Sequence, residues 1–320
     1  MPFIPIELHQ LVFDLLNFPS QIKYIDISFF TQQNLFIKGL YSKDFPRKID
    51  NNIINQKKFR NIIAIDLIFS KISKIDYFIN LQILHCSWFY RQNDIKNLNL
   101  VELNASDNRN INSVNHMKKL KKLNASGICG IDQTGISKVD LIELIADDND
   151  TINNVNHMKN LKILKIGYNC GINQAGISAV NLTELNAEAN GKIINVNHMK
   201  NLKFLNARGN CGINQTGINV ANLISLDVYG NKKITNVNHM VNLKFLNAGG
   251  DYGINQAGIK NINLINLYAS HNSKIVNVNH MNKLKILFAE YNCGISEDSI
   301  KNLTLSELHT KGNNNFKLNI

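Results

Sequence analysis

Apolar positions along most of this chain fall into one repeating frame. Leu161, Leu164, Ile166, Asn169 and Ile172 follow the order LxxLxLxxNxxI, and Leu182, Leu185, Ala187, Asn190 and Ile193 repeat it. The frame begins again at Leu100, Leu120, Leu141, Leu202, Leu223, Leu243, Leu264, Leu284 and Leu305, with weaker copies from Ile62 and Leu81. Steps alternate between 20 and 21 residues, as from Leu100 to Leu120 and from Leu120 to Leu141. The longer period of 41 is marked by Asn-His-Met at His116, His157, His198, His239 and His280. A repeat of this length is one supersecondary unit that cannot bury its apolar side alone, so neighbouring units must stack.

The spacing also predicts what each unit is. Two apolar residues two apart point to one side of an extended strand. Stacked strands about 4.8 Å apart would form one parallel sheet. An asparagine column follows the strand at Asn149, Asn169, Asn190, Asn210, Asn231, Asn272, Asn292 and Asn313. A side-chain amide carries donors and an acceptor, and could satisfy backbone groups where each coil turns inward. Ile128 and Asp251 replace asparagine in two coils, which predicts an imperfect ladder there.

Before the repeats the period changes. Leu8, Leu11, Val12, Leu15 and Leu16 recur at three and four residues, one face of a helix. Pro5 suits its first turn, Pro19 ends it, and Ser20 can cap a second helix bearing Ile22, Ile25 and Phe29. The chain therefore divides into a helical segment at 1–45, irregular first repeats at 46–99 and regular repeats at 100–320.

Composition alters this picture little. Asparagine is abundant enough to raise disorder as a reading, but the fixed apolar interval argues for a packed core. The net charge is +11. A basic balance can signal nucleic acid, yet Lys159, Lys162, Lys200, Lys203, Lys244 and Lys285 recur inside the repeat rather than clustering, as a solvated face would. No apolar run is long enough to span a membrane. The opening residues lack the basic region of a signal peptide, so an intracellular, cytoplasmic protein is expected.

The five spaced histidines invite a metal reading, but equivalent atoms two coils apart are about 10 Å from each other. Zinc ligands lie near 2 Å from the ion, so successive histidines cannot share one. They are expected to be half-buried turn residues. Cys129, Cys170, Cys211 and Cys293 share one repeat position, with Tyr252 at the remaining copy. Their separation exceeds the Cα distance of about 7 Å that a disulfide allows. They are expected to be free, buried thiols, and Cys86 lies outside the column. No nucleophile elbow, phosphate loop, zinc-protease motif or paired CxxC occurs, and Gly249, Gly250 and Gly253 fall in a repeat turn. Neither an enzyme nor a cofactor is expected.

Binding is left to the outward strand positions, which packing does not fix. Phe204, Tyr229, Phe245, Tyr268, Phe288 and Tyr291 fall on or beside the concave face of the later coils. Exposed aromatic residues are enriched in interface hot spots. Earlier coils carry Glu102, Asp107, Glu143, Asp147, Asp148, Glu184 and Glu188 instead.

With these residues in view, the frame resembles that of leucine-rich-repeat proteins. The segments 169–177 (NCGINQAGI) and 210–218 (NCGINQTGI) resemble the Cys-containing repeat subtype frequent in F-box proteins, although only every second coil carries the cysteine. The N-terminus resembles an F-box: Ile4-Pro5-Ile6-Glu7-Leu8 matches its opening, Val12-Phe13 its apolar pair and Leu16 its next leucine. Phe29-Phe30-Thr31-Gln32-Gln33 stands where that family has Cys-Lys-x-Trp. The asparagine, isoleucine and lysine bias is of the kind found in amoebae and their large viruses. The resemblance implies an α/β leucine-rich-repeat solenoid with a parallel sheet on its concave face, preceded by a small helical module. It implies that Ile4, Pro5, Leu8, Val12 and Leu16 dock a Skp-type adaptor while the repeats hold a protein substrate of a cullin-RING ubiquitin ligase. The alternative is a binding scaffold or decoy whose N-terminal helices cap the first coil.

Overall fold

The computed structural model describes residues 62–67, 75, 78–86, 88–250 and 253–316. The 1–45 segment, with Ile4, Pro5, Leu8, Val12 and Leu16, lies outside the described residues, as do Asp251 and Tyr252. The described chain is a parallel β-sheet solenoid, and it divides into two compact units, the first ending at Ile145 and the second beginning at Ala146.

In the first unit β1 (Ala64–Leu67), β2 (Ile83–Cys86), β3 (Glu102–Asn104), β4 (Lys122–Asn124) and β5 (Glu143–Ile145) pair in chain order. Leu84, Leu103, Leu123 and Leu144 stand side by side in register. The second unit continues the same scheme with β6 (Ile163–Lys165), β7 (Glu184–Asn186), β8 (Phe204–Asn206) and β9 (Ser225–Asp227). Then follow β10 (Phe245–Asn247), β11 (Asn266–Tyr268), β12 (Ile286–Phe288) and β13 (Glu307–His309). Its central column runs Leu164, Leu185, Leu205, Leu226, Leu246, Leu267, Leu287, Leu308. Every strand from β3 on has three residues, and from β3 to β12 the middle one is buried, as the two-residue spacing predicts, while Leu308 in β13 is exposed. The weaker frames from Ile62 and Leu81 also deliver strands, β1 and β2.

Among the described residues, helical structure on the return side is confined to single turns in alternate coils. It is a single 3-10 turn at Ala175–Ile177, Thr216–Ile218, Gln256–Ile259 and Glu297–Ser299, and one α-helical turn at Gln92–Ile95. The Cys-Gly-Ile-Asn-Gln-x-Gly segment explains this close approach. A Cβ on Gly171 would overlap the carbonyls of Asp150 and Ile152, and one on Gly176 would overlap that of Asn153. Both glycines let one coil lie directly on the backbone of the one before it.

Polar side chains tie the returns together. Gln174 Oε1 accepts from Ile194 N and Asn195 N at 2.9 Å, and its Nε2 donates to Asn195 O at 3.0 Å. Gln215 and Gln256 repeat the bridge one and two periods on. The histidines behave likewise. His116, His198, His239 and His280 place Nε2 3.0–3.1 Å from the carbonyl of an isoleucine in the preceding coil, so Nε2 carries the proton. His116 and His157 are half-buried as expected, whereas His198, His239 and His280 are exposed. Among the described residues no group of three or more His, Cys, Asp or Glu side chains could hold a metal ion.

The asparagine column requires a correction. Asn149, Asn190, Asn231, Asn272 and Asn313 are buried, together with Asn108. Asn169, Asn210 and Asn292 are exposed, and the next residue, Cys170, Cys211 or Cys293, takes the inward place. The reason is coil length. Cysteine coils are the 21-residue ones, and their extra residue moves the inward position one step along the chain. Ile128 therefore interrupts nothing, because in its coil the asparagine position faces solvent and Cys129 is buried. Cys129, Cys170, Cys211 and Cys293 are free and buried, as expected, and Cys86, which lies outside their column, is free and buried as well.

The two coil types are complementary. Asn190 Nδ2 donates to Ile166 O at 2.7 Å and lies 3.4 Å from Ile172 O, the carbonyls flanking the Cys170 turn. Its Oδ1 accepts from Lys192 N at 2.9 Å. Asn231, Asn272 and Asn313 repeat this bond for bond. The structural unit is thus an asparagine coil closing over a cysteine coil, which is why the period is 41 residues.

Candidate functional site

Each strand presents two side chains outward on either side of its inward leucine. The first outward column of the second unit reads Ile163, Glu184, Phe204, Ser225, Phe245, Asn266, Ile286, Glu307. The second reads Lys165, Asn186, Asn206, Asp227, Asn247, Tyr268, Phe288, His309. In this second column asparagine and aspartate have a local task. Asn186, Asn206 and Asn247 accept from the backbone N–H two residues on, at Glu188 (3.0 Å), Arg208 (3.1 Å) and Gly249 (3.2 Å). Asp227 does the same for Tyr229 at 3.0 Å. Such side-chain turns hold the chain as it leaves the strand. Tyr268, Phe288 and His309 lack the short amide or carboxylate oxygen that makes such a turn.

From β10 on, the face becomes a ladder of rings. Phe245 and Tyr268 meet edge to face with centroids 5.1 Å apart. Tyr268 and Phe288 are 4.3 Å apart, and Phe288 stacks on His309 at 4.0 Å with the planes 6° apart. The edge-to-face pair has a favourable aromatic geometry, and the other two are closer ring contacts. The three Phe and Tyr rings are half-buried by one another and His309 is exposed. Beside the ladder, Tyr291 stacks on His271 at 4.5 Å, both with positive φ (55° and 62°) in the turn after the strand.

The flank toward β7 is charged. Arg208 lies 3.9 Å from Glu188 and 3.8 Å from Asp227, and its guanidinium sits 5.1 Å above the Tyr229 ring. Gly249 leaves room for that ring, since a Cβ there would stand 2.7 Å from Tyr229 Cδ2. Burial pushes the Asp227 carboxyl above the ordinary range, against the lowering effect of the Tyr229 N–H and Arg208. Burial does the same to Asp147, although that carboxylate accepts from Gly167 N. Half-desolvated acids of this kind favour a cationic group brought to them.

Of the six aromatic residues singled out in the sequence, the structure brings together Phe245, Tyr268 and Phe288. Tyr291 belongs to the neighbouring pair with His271, and Tyr229 to the arginine cluster. Phe204 stands apart: it is 45% exposed and its register partners are Glu184 and Ser225. His309, His271 and Arg208 were missed. The signal for His309 was its column, because it occupies the same frame position as Tyr268 and Phe288. The acidic residues divide between the units. Glu102 and Glu143 are on β3 and β5, with Glu102 3.7 Å from Lys122 and 3.5 Å from His85. Glu184 and Glu188 accompany β7, and Asp107 and Asp148 take left-handed turn positions.

No protein-family model matches the sequence, and no curated protein does. Among solved structures the chain is similar to the functional domain of the internalin InlJ from Listeria monocytogenes, described as including a cysteine ladder, at 17% identity and a TM-score of 0.49. That match covers 82% of this chain and 60% of the internalin domain, so the chain spans less than two thirds of it. It is similar to a second Listeria internalin, inlF, at 14% identity and a TM-score of 0.47 (96% and 89% covered). It is also similar to a structure of the yeast Rad7 and Elc1 complex at 14% identity and a TM-score of 0.45 (88% and 88% covered). The strand register and the repeat frame make the described chain a parallel β-sheet solenoid of the leucine-rich-repeat type, and no helix among the described residues is long and apolar enough to cross a membrane.

Proposed function

We propose that this chain is a substrate receptor, holding a protein target on the sheet face between β9 and β13 while residues 1–45 dock a Skp-type adaptor of a cullin-RING ubiquitin ligase. The observation that supports target binding is the change in the second outward column. Asn206, Asp227 and Asn247 serve the fold by capping their own turns, and Tyr268, Phe288 and His309 in the same frame position do not. Rings kept where packing does not ask for them are the usual material of an interface. Support for the adaptor half comes from the sequence Ile4-Pro5-Ile6-Glu7-Leu8 with Val12 and Leu16, followed by repeats of the cysteine type. Free buried thiols suit the reducing interior of a cell. Such a receptor does no chemistry of its own. It raises the effective concentration of target lysines at the transfer machinery.

A paired measurement tests the adaptor half. Leu8→Asp combined with Leu16→Asp places unpaired charges in the docking surface, which is strongly unfavourable there. Adaptor recovery from host lysate should vanish while thermal stability stays close to wild type. If the segment is a cap, the same substitutions expose the first coil and lower the melting temperature with no adaptor to lose. Failure of the wild-type protein to recover any Skp-type adaptor overturns the ligase reading and leaves a binding scaffold, which the aromatic face supports without it.

A further inference from the structure

Lysines dispersed along the sequence of the second unit stand in one column on the fold. Lys162, Lys203, Lys244 and Lys285 each take the last position before a strand, at β6, β8, β10 and β12. The backbone fixes their register. Lys162 O accepts from Thr183 N and Glu184 N at 2.8 and 3.1 Å, and the carbonyls of Lys203, Lys244 and Lys285 accept two N–H groups of the next coil in the same way at 2.8–3.1 Å. Neighbouring strands lie about 4.8 Å apart, so a lysine in every second coil gives one cation per ~10 Å over a row about 30 Å long. Lys162, Lys244 and Lys285 are exposed and Lys203 is half-buried. Among the described residues no carboxylate forms an ion pair with any of the four. The segments leading into the strands of this unit, at 156–162, 177–183, 197–203, 218–224, 238–244, 259–265, 279–285 and 300–306, hold no aspartate or glutamate, and Lys159 and Lys200 add to the charge. Phe204, directly after Lys203, is 45% exposed.

We propose that this row binds single-stranded nucleic acid, with phosphates along the lysines and a base against Phe204. The fixed period is the reason the charge gathers: a lysine at one frame position in alternate coils is far from the next in sequence and beside it in space. The row follows the direction in which the coils stack. A single strand can track such a row, whereas a duplex winds its phosphates away from it. Lysine is a hydrated point charge on a flexible stem, suited to a phosphate whatever base follows. Phe204 supplies what the lysines lack. An exposed ring beside a basic track is a platform on which bases stack, and stacking tolerates any sequence. An acidic polypeptide would meet the same lysines but leave the ring unused, and exposed lysine–carboxylate pairs contribute little. Phosphates bring condensed counterions, and their release drives binding. Glu184 stands next to Phe204 in the register and opposes a phosphate there. The proposal depends on neither the adaptor segment nor the ring ladder.

The test is fluorescence anisotropy of labelled oligothymidylate and oligouridylate of about 16 nucleotides, within the site sizes such tracks show, titrated with the full chain over a salt series. Binding of either supports the proposal, and the tighter of the two separates DNA from RNA as the source. Log K should fall linearly with log salt, with a slope of about −0.7 per phosphate engaged. Lys203→Gln with Lys244→Gln removes two of these contacts, so the slope should become shallower by about 1.4. Lys232→Gln with Lys274→Gln removes the same charge from the turns after the strands and should leave the slope unchanged. Phe204→Ala should weaken binding about tenfold at an unchanged slope, and Glu184→Gln should tighten it. Melting temperatures should stay near wild type, since these side chains are exposed or half-buried. No binding of either strand at about 0.05 M salt overturns the proposal. Equal loss of slope in the two lysine pairs overturns the row, because net charge alone would then be responsible. Displacement of the strand by polyglutamate at equal charge, or wild-type affinity in Phe204→Ala, overturns nucleic acid in favour of an acidic protein. Tighter binding to phosphatidylserine vesicles than to either strand overturns it in favour of a membrane surface.

Discussion

The side-chain amide of Asn231 donates to the carbonyl of Ala207 at 2.8 Å, from an asparagine coil into the cysteine coil before it. The same amide lies 3.3 Å from Ile213 O, and its oxygen accepts from Lys233 N at 2.8 Å. One buried side chain thus serves backbone groups on both sides of the Cys211 turn. Asn231→Ala leaves them buried and unpaired and should cost about 1–3 kcal/mol. Asn210→Ala, at the same frame position of the neighbouring coil, should shift stability by less than about 0.5 kcal/mol, because Asn210 faces solvent. Urea unfolding of the two variants decides it, and equal losses would contradict the alternation of coil types.

The thiols give a pH dependence. Desolvation by burial raises Cys129, Cys170 and Cys211 to about 11 and Cys86 to about 12, from an ordinary value of 9.0. The folded state therefore holds protons that the unfolded chain releases first. The contribution of these groups is whole below pH 9 and is lost as pH rises through 11. Lysine and tyrosine also titrate there, so the readout is a difference. Cys170→Val with Cys211→Val should unfold along a shallower slope of stability against pH between 9 and 11 than wild type. At neutral pH the native protein should leave a thiol reagent unreacted until denaturant is added.

The strand frame was legible because packing repeats it. An inward leucine has one acceptable neighbour above and below, so the same letter recurs in every coil and the register can be counted. The choice between Asn169 and Cys170 as the inward residue was not legible from letters alone, since both recur. It follows from coil length, which moves the inward position by one residue in the longer coils. The binding face was half legible for the opposite reason. Outward positions vary, so residue type nominates candidates without grouping them. Phe204 and Phe288 look alike in sequence, and only the register separates a ring between Glu184 and Ser225 from one stacked between Tyr268 and His309.

The turn after each strand offers a test of backbone strain free of packing. Ala189 and Gly209 occupy equivalent positions in successive coils, with φ of 55° and 61°. A Cβ on Gly209 would meet nothing within 4 Å, so only the left-handed conformation opposes it. Gly209→Ala should destabilise by about 1–2 kcal/mol. Ala189→Gly relieves that strain but frees the unfolded chain, which offsets about 0.4–1 kcal/mol of the gain. It should be neutral or stabilising by up to about 1 kcal/mol. Thermal melts of the pair measure the difference, and a destabilising Ala189→Gly would mean that the alanine methyl group has a packing role.

The ring ladder can be separated from the fold by restoring the residue its column favours. Tyr268→Asn offers the Ser270 N–H the acceptor that Asn206 and Asn247 give Arg208 and Gly249. It removes a half-buried ring but adds a turn-capping bond, and such bonds contribute about 0.5–1.5 kcal/mol. Stability should therefore change little. Leu246→Ala, in the inward column beside the ladder and fully buried, should cost about 2–5 kcal/mol. Binding should divide the other way. Loss of Tyr268 removes the ring between Phe245 and Phe288, so Tyr268→Asn should weaken capture of a protein partner at least as much as Phe245→Ala or Phe288→Ala does, while Leu246→Ala at a temperature where it stays folded should bind normally. Partner recovery and urea midpoints measured on the same four variants check both halves. If Tyr268→Asn lowers the midpoint as far as Leu246→Ala does, the rings are part of the core and the sheet face is not the binding site.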